Sequence, residues 1–175
     1  MIVATYDRAT IRFHWTTAAL VVALWMIGQT SDWFPRGPLR GAAWSTHFTL
    51  GAALLAVYLA RIVWRMRSGR RLPGVGSPLL VKLAAAGHGV LYLGIAIVIA
   101  IGIANLYAKG SSVWGLVHFP KIEDKPLRET IGEAHEWAAN LLLLAAAGHG
   151  AIAFLHQFVW RDGVLTRMWP SLARN

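Results

Sequence analysis

The chain contains no cysteine, which excludes disulfides, thiolate zinc sites, iron–sulfur ligation within the chain and haem attached through Cys-x-x-Cys-His. Any metal is left to His, Met or oxygen donors. Charge is scarce as well: charged residues are 14% of the 175 and apolar ones 56%, with a positive mean hydropathy of +0.48. Water-soluble domains rarely have that balance. Acids are the scarcer sign, eight against seventeen Lys and Arg, for a net charge of +9. The bases cluster beside apolar runs and do not interleave along a soluble face, so they indicate membrane orientation, not nucleic acid. The first apolar run, Trp15 to Ile27, lacks a small-x-small cleavage site and continues Gly28-Gln29-Thr30-Ser31-Asp32. A retained helix is expected there, not a secretory signal. Internal repeats and low-complexity tracts are also missing.

Four long apolar stretches are present, near 12–30, 43–64, 83–107 and 131–159. Each suffices to cross about 30 Å of hydrocarbon at about 1.5 Å per helical residue. They are too long and uniformly apolar for barrel strands, and backbone in lipid must satisfy its own hydrogen bonds. The fold class expected is therefore all-α: an integral membrane four-helix bundle forming one transmembrane domain over residues 1–175. Nine Trp and four Tyr, many of them at the ends of these runs, suit the headgroup level.

The Lys and Arg distribution sets the expected orientation. Arg8, Arg12, Arg61, Arg65, Arg67, Arg70, Arg71, Lys82, Arg161, Arg167 and Arg174 fall on one side, and Arg36, Arg40, Lys109, Lys121, Lys125 and Arg128 on the other with most of the acids. Both termini are expected in the cytoplasm. The connection from about 108 to 130 becomes an outward-facing loop that shields the outer mouth of the bundle.

Histidines carry the chemistry. His135 and His149 in the fourth helix are fourteen residues apart, close to four turns, so they share a face about 21 Å apart along the axis. His149 sits in Ala145-Ala146-Ala147-Gly148-His149-Gly150-Ala151, where the lack of bulk lets a flat macrocycle, or another helix, approach the backbone. His47, in the first turn of the second helix, is level with His135. His14, in the first turn of the first helix, is level with His149. Bundle cofactors are held by inward side chains of neighbouring helices, and a haem iron held on both faces needs two imidazoles. Four histidines at two depths suit two haems. The outer pair follows from depth, since the other outer histidine, His118, is in a loop. For the inner site, spacing leaves His149 with either His14 or His88, the latter in Gly87-His88-Gly89, while His156 reads as interfacial. A lone intramembrane His is as often an interhelical hydrogen-bonding residue. His47 and Arg61 are again fourteen residues apart, which puts Arg61 level with the inner site, either to pair with a haem propionate or to snorkel to the headgroups.

These residues resemble the bacterial cytochrome b561 family, which includes membrane cytochrome b subunits of hydrogenases. The resemblance covers nearly the whole chain. It rests on Arg12-Phe13-His14-Trp15, His47, Gly87-His88-Gly89-Val90-Leu91-Tyr92-Leu93, His135-Glu136-Trp137-Ala138-Ala139-Asn140 with His149, and Phe158-Val159-Trp160-Arg161-Asp162-Gly163 with Arg167-Met168. It implies two non-covalent haem b groups, the inner one on His14 and His149 and the outer one on His47 and His135. His88 is left as a residue supporting a ligand or serving a quinone.

The function expected is single-electron transfer across or within the bacterial inner membrane, because two axial imidazoles leave no open iron position. The resemblance implies exchange with quinone or quinol, and for some members oxidation of superoxide at the outer face, a superoxide:quinone oxidoreductase activity. Six outer bases, Arg36, Arg40, Lys109, Lys121, Lys125 and Arg128, are able to attract an anion there. Two other readings compete. One is a haem-bearing anchor for a soluble or membrane redox partner. The other is a His-lined metal or proton transporter, disfavoured by few intramembrane carboxylates and no broken helices. Expected partners are the lipid bilayer, a quinone and a redox protein, with a second copy of the chain as a further candidate.

Overall fold

A computed structural model of the protein describes residues 4–174. It contains four long helices: α1, Arg8–Thr30; α2, Pro38–Arg67; α3, Pro78–Ala108; and α4, Lys125–Leu155. All four are long and apolar enough to cross a membrane. A two-stranded antiparallel ribbon, β1 (Ser112–Val113) and β2 (Val117–His118), joins α3 to α4.

The helices begin four to six residues before the apolar runs do, because their first turns are built from capping chemistry that lies outside hydrocarbon. Asp7, Ser77 and Asp124 each accept a backbone N–H of the first turn, from Thr10, Leu80 and Leu127 respectively, and α2, α3 and α4 each have Pro in their first two positions. Both devices pre-organise a helix start. At the other end of α4 the α-helix stops at Leu155 and widens into a π-helical turn, His156–Trp160, closed by Arg161 with φ 53°.

α1 packs along α2 and α3 along α4, and thinner contacts join α1 to α4 and α2 to α3. Leu24, Leu54, Ile95 and Leu142, one from each helix, form the buried apolar layer. Outside it the large apolar side chains face outward: Leu93 is 62% exposed and Leu144 70%. In water that surface would be an aggregation hazard; in lipid it is solvated. Polar contacts tie helices within the apolar layer. Trp25 Nε1 and Gln29 Nε2 of α1 both donate to Asn140 Oδ1 of α4, at 2.7 and 3.4 Å, and Tyr58 of α2 donates to the Tyr92 carbonyl of α3 at 3.1 Å.

The two chain ends meet at one end of the bundle. Tyr6 N–H donates to the Arg167 carbonyl at 3.1 Å, Trp15 Nε1 to the Met168 carbonyl at 3.0 Å, and Arg167 to the Pro73 carbonyl at 2.7 Å. Asp7 is the knot of this end. Besides Thr10 it accepts the Trp64 indole N–H at 3.2 Å and the Arg70 backbone N–H at 3.1 Å, tying the start of α1 to the end of α2. Desolvation pushes its carboxyl up, but hydrogen bonds from Thr10, Arg70 and Trp64 outweigh that and hold it down at about 2. A carboxyl lowered by folding stabilises above its unfolded value, about 3.9. Asp7→Ala is therefore expected to lower the unfolding temperature at neutral pH, by the equivalent of about 1 kcal/mol for a lost cap. The gap from the wild type should close as pH falls from about 4 towards 2, measured by thermal melts in detergent.

Candidate functional site

Five of the seven histidines lie on α1, α2, α3 and α4, and the two pairings join one helical hairpin to the other. His14 of α1 and His149 of α4 have ring centroids 6.2 Å apart, and His47 of α2 and His135 of α4 have theirs 6.3 Å apart. The facing rings are steeply inclined, by 66° and 83°. His47 is flanked by Trp44 and Phe48 at 5.6 and 6.1 Å, and His14 by Trp15 at 5.2 Å. Buried Nδ1 atoms of His47 and His135 have no hydrogen-bond partner, an arrangement a buried polar atom rarely tolerates without a ligand or function.

His88 also reaches His149, with ring centroids 5.1 Å apart. Its Nδ1 bonds the Ala84 carbonyl at 2.7 Å, which fixes the tautomer with the proton on Nδ1 and leaves Nε2 as an acceptor. Arg61 lies with its guanidinium 5.0 Å from the Tyr92 ring centroid, a cation–π contact, and acts electrostatically on His14 and His149. None of the ion pairs among the described residues includes it. His118 stands apart on β2. His156 begins the π-helical turn and meets Asp162, Nδ1 to Oδ2 2.5 Å.

The donor set fits a haem. Two imidazoles bound to one metal at about 2.0 Å each have ring centroids about 6.3 Å apart, and both pairs have that spacing. The 5.1 Å of His88 and His149 is too short for it. Among the described residues no three His, Asp or Glu side chains converge as a metal cage, and a porphyrin, which brings four nitrogens of its own, asks the protein for only two.

The connecting ribbon docks against α2 on either side of His47. Trp114 N–H donates to Ser45 Oγ at 2.9 Å and its indole N–H to Thr49 Oγ1 at 3.0 Å, two residues before and after His47. Trp114 and Gly115 have φ of 54° and 69°, and Leu116 N–H bonds the Val113 carbonyl at 3.0 Å, a type I′ hairpin turn. A left-handed Trp costs about 1–2 kcal/mol, which the two anchoring bonds offset. Trp114→Ala is expected to speed amide exchange across residues 112–118 at least tenfold, the effect of about 1.4 kcal/mol, while leaving the four helices protected. Hydrogen-exchange mass spectrometry checks this. Sequence reading passed over Trp114, whose signal was the Trp-Gly pair in the loop.

Four apolar helices with imidazoles paired across their interior define a membrane cytochrome of the b type. The family comparison agrees: the model for prokaryotic cytochrome b561 matches residues 5–171, and the chain belongs to that family. It is similar to a probable superoxide oxidase CybB of Yersinia pestis, 33% identical over 95% of this chain and 96% of the relative. It is also similar to cytochrome b561 homolog 2 of Escherichia coli (strain K12), 29% identical over 93% of this chain and 90% of that one. Cytochrome b562 of Cereibacter sphaeroides is 29% identical over 93% and 94% of the two chains. The protein is a bacterial multi-pass membrane cytochrome that binds haem b and works in electron transfer.

Proposed function

We propose that the chain holds two haem b groups at different depths, between His14 and His149 and between His47 and His135, and conducts single electrons between the two faces of the bacterial inner membrane with both termini in the cytoplasm. The observation that carries this is the pair of imidazole spacings, 6.2 and 6.3 Å, each suited to one iron. When bound, haem supplies an iron that cycles between ferrous and ferric. His14 with His149 and His47 with His135 would hold the two groups, leaving oxygen no open site, while the bundle would keep water out and the groups beside these imidazoles would set each potential.

The name of the Yersinia relative, a probable superoxide oxidase, supports the outer reactant: two superoxide anions give up one electron each and leave as dioxygen. Quinone is the acceptor that suits a lipid-embedded chain, and it takes two electrons and two protons to become quinol. Lys109, Lys121 and the neighbouring outer bases draw the anion in.

The test is purified protein in detergent. A reduced-minus-oxidised spectrum of low-spin haem and a haem-to-chain ratio of two are expected, and in proteoliposomes containing quinone, superoxide should yield quinol. Absence of haem absorbance, or one haem per chain in fully loaded protein, overturns the dihaem reading.

A further inference from the structure

The outer imidazoles rest on two matching pieces of backbone. On α1, Gly28 stands four residues after Leu24; on α3, Gly102 stands four residues after Val98. A methyl group at Gly28 would lie 3.4 Å from His47 Cε1 and 3.7 Å from Nδ1. At Gly102 it would lie 2.8 Å from His135 Cε1 and 3.3 Å from Nδ1. Ordinary carbon contacts are about 3.5–4.0 Å, so the His135 ring occupies space that only glycine leaves free, while a methyl at Gly28 would come into plain contact with the His47 ring. The Leu24 carbonyl faces His47 and the Val98 carbonyl faces His135, while the buried Nδ1 atoms have no bond that meets hydrogen-bond geometry. A helical carbonyl that already accepts the N–H four residues on has a second lone pair to offer. Metal-bound imidazoles commonly donate their other N–H to such a group, which fixes tautomer and ring orientation.

We propose that Gly28 with the Leu24 carbonyl, and Gly102 with the Val98 carbonyl, are paired backbone seats that hold the Nδ1 edges of His47 and His135 and present their Nε2 atoms to the outer haem. The two glycines are thus positioning residues. The inference rests on the dihaem reading and deepens it at one site. The inner ligands have no such seat: Gly87, Gly89, Gly148 and Gly150 have no atom near enough to meet an added methyl, and His149 instead has the His88 ring beside it at 5.1 Å. The two centres are tuned by different chemistry, neutral backbone outside and an imidazole with a guanidinium inside.

The experiment uses the full chain purified with haem. Low-spin ferric EPR signals and midpoint potentials are first assigned to the two centres with His135→Ala and His14→Ala. Gly102→Ala should then weaken outer-haem binding about 10- to 100-fold, the usual cost of losing such support, and shift the outer EPR signal while the inner one stays in place. Gly28→Ala, with its looser 3.4 Å contact, should move the same signal less, and remains informative should Gly102→Ala fail to fold. Gly94→Ala is the packing control, since a methyl there meets Leu142 Cδ1 at 3.1 Å and no imidazole; both haem signals should stay unmoved. The proposal is overturned if both seat variants leave the outer signal and potential unchanged, or if Gly94→Ala moves them as far. A wild type without two low-spin signals instead overturns the dihaem reading on which it rests.

Discussion

In His135→Ala, bound haem is expected to fall from two per chain to one, with the same result for His47→Ala, while His14→Ala and His149→Ala each remove the other haem. An iron between two imidazoles has no second protein donor to fall back on at the outer site, where His47 and His135 face each other at 6.3 Å and His118 is on the connecting ribbon. The inner site contains a third imidazole, so His14→Ala is the discriminating variant. His88 already spends its Nδ1 on the Ala84 carbonyl at 2.7 Å, and its ring stands about 1 Å nearer to His149 than one iron between two imidazoles permits. His88→Ala should accordingly retain both haems and shift only the inner spectrum. Haem-to-protein ratios and EPR of the single variants are the measurement. Retention of both haems in His14→Ala together with loss in His88→Ala would reverse the inner pairing.

The spacing of the histidines was legible in the sequence because helical depth is periodic: fourteen residues bring His135 and His149 to one face, whatever the rest of the bundle does. The four spans were legible for a similar reason, since hydrocarbon thickness fixes their length. Lateral packing leaves no such periodic mark. Depth alone left His149 with either His14 or His88, and the resemblance chose His14; the placement of α1 and α3 around α4 adds the two ring distances, 6.2 and 5.1 Å, that support that choice. The helix starts at Pro38, Pro78 and Lys125 were placed late because their capping turns are polar and lie beyond the apolar run.

His156, seven residues after His149, was expected on a similar face and at the interface. It stands where α4 ends and the π-helical turn His156–Trp160 begins, and left-handed Arg161 brings the chain back so that Asp162 meets its ring, a contact that periodicity does not foretell. Gly28 and Gly102 were unreadable for another reason. Glycines in apolar helices ordinarily mark close helix packing, and only the position of an imidazole against each one distinguishes a seat from a packing groove.

Arg61→Gln is expected to lower the midpoint potential of the inner haem and leave that of the outer one nearly unchanged. A cation beside the iron disfavours the ferric state, which has one more positive charge, so removing it makes the haem harder to reduce. In an effective dielectric of about 20, a unit charge at about 9 Å is worth about 2 kcal/mol, so the fall should be up to about 90 mV for a single electron. The outer centre, about 21 Å further along the axis, should feel less than half of that. The position of Arg61 is set by its stacking on Tyr92, 5.0 Å away, and Tyr92 in turn by the Tyr58 hydroxyl bond to its carbonyl. Arg61→Lys separates charge from stacking: an ammonium retains the charge but loses the planar contact, so its potential should stay near the wild-type value. Potentiometric titration of the two resolved haem bands decides the matter, and an inner potential that stays put or rises in Arg61→Gln would leave Arg61 as a headgroup anchor with no part in tuning the iron.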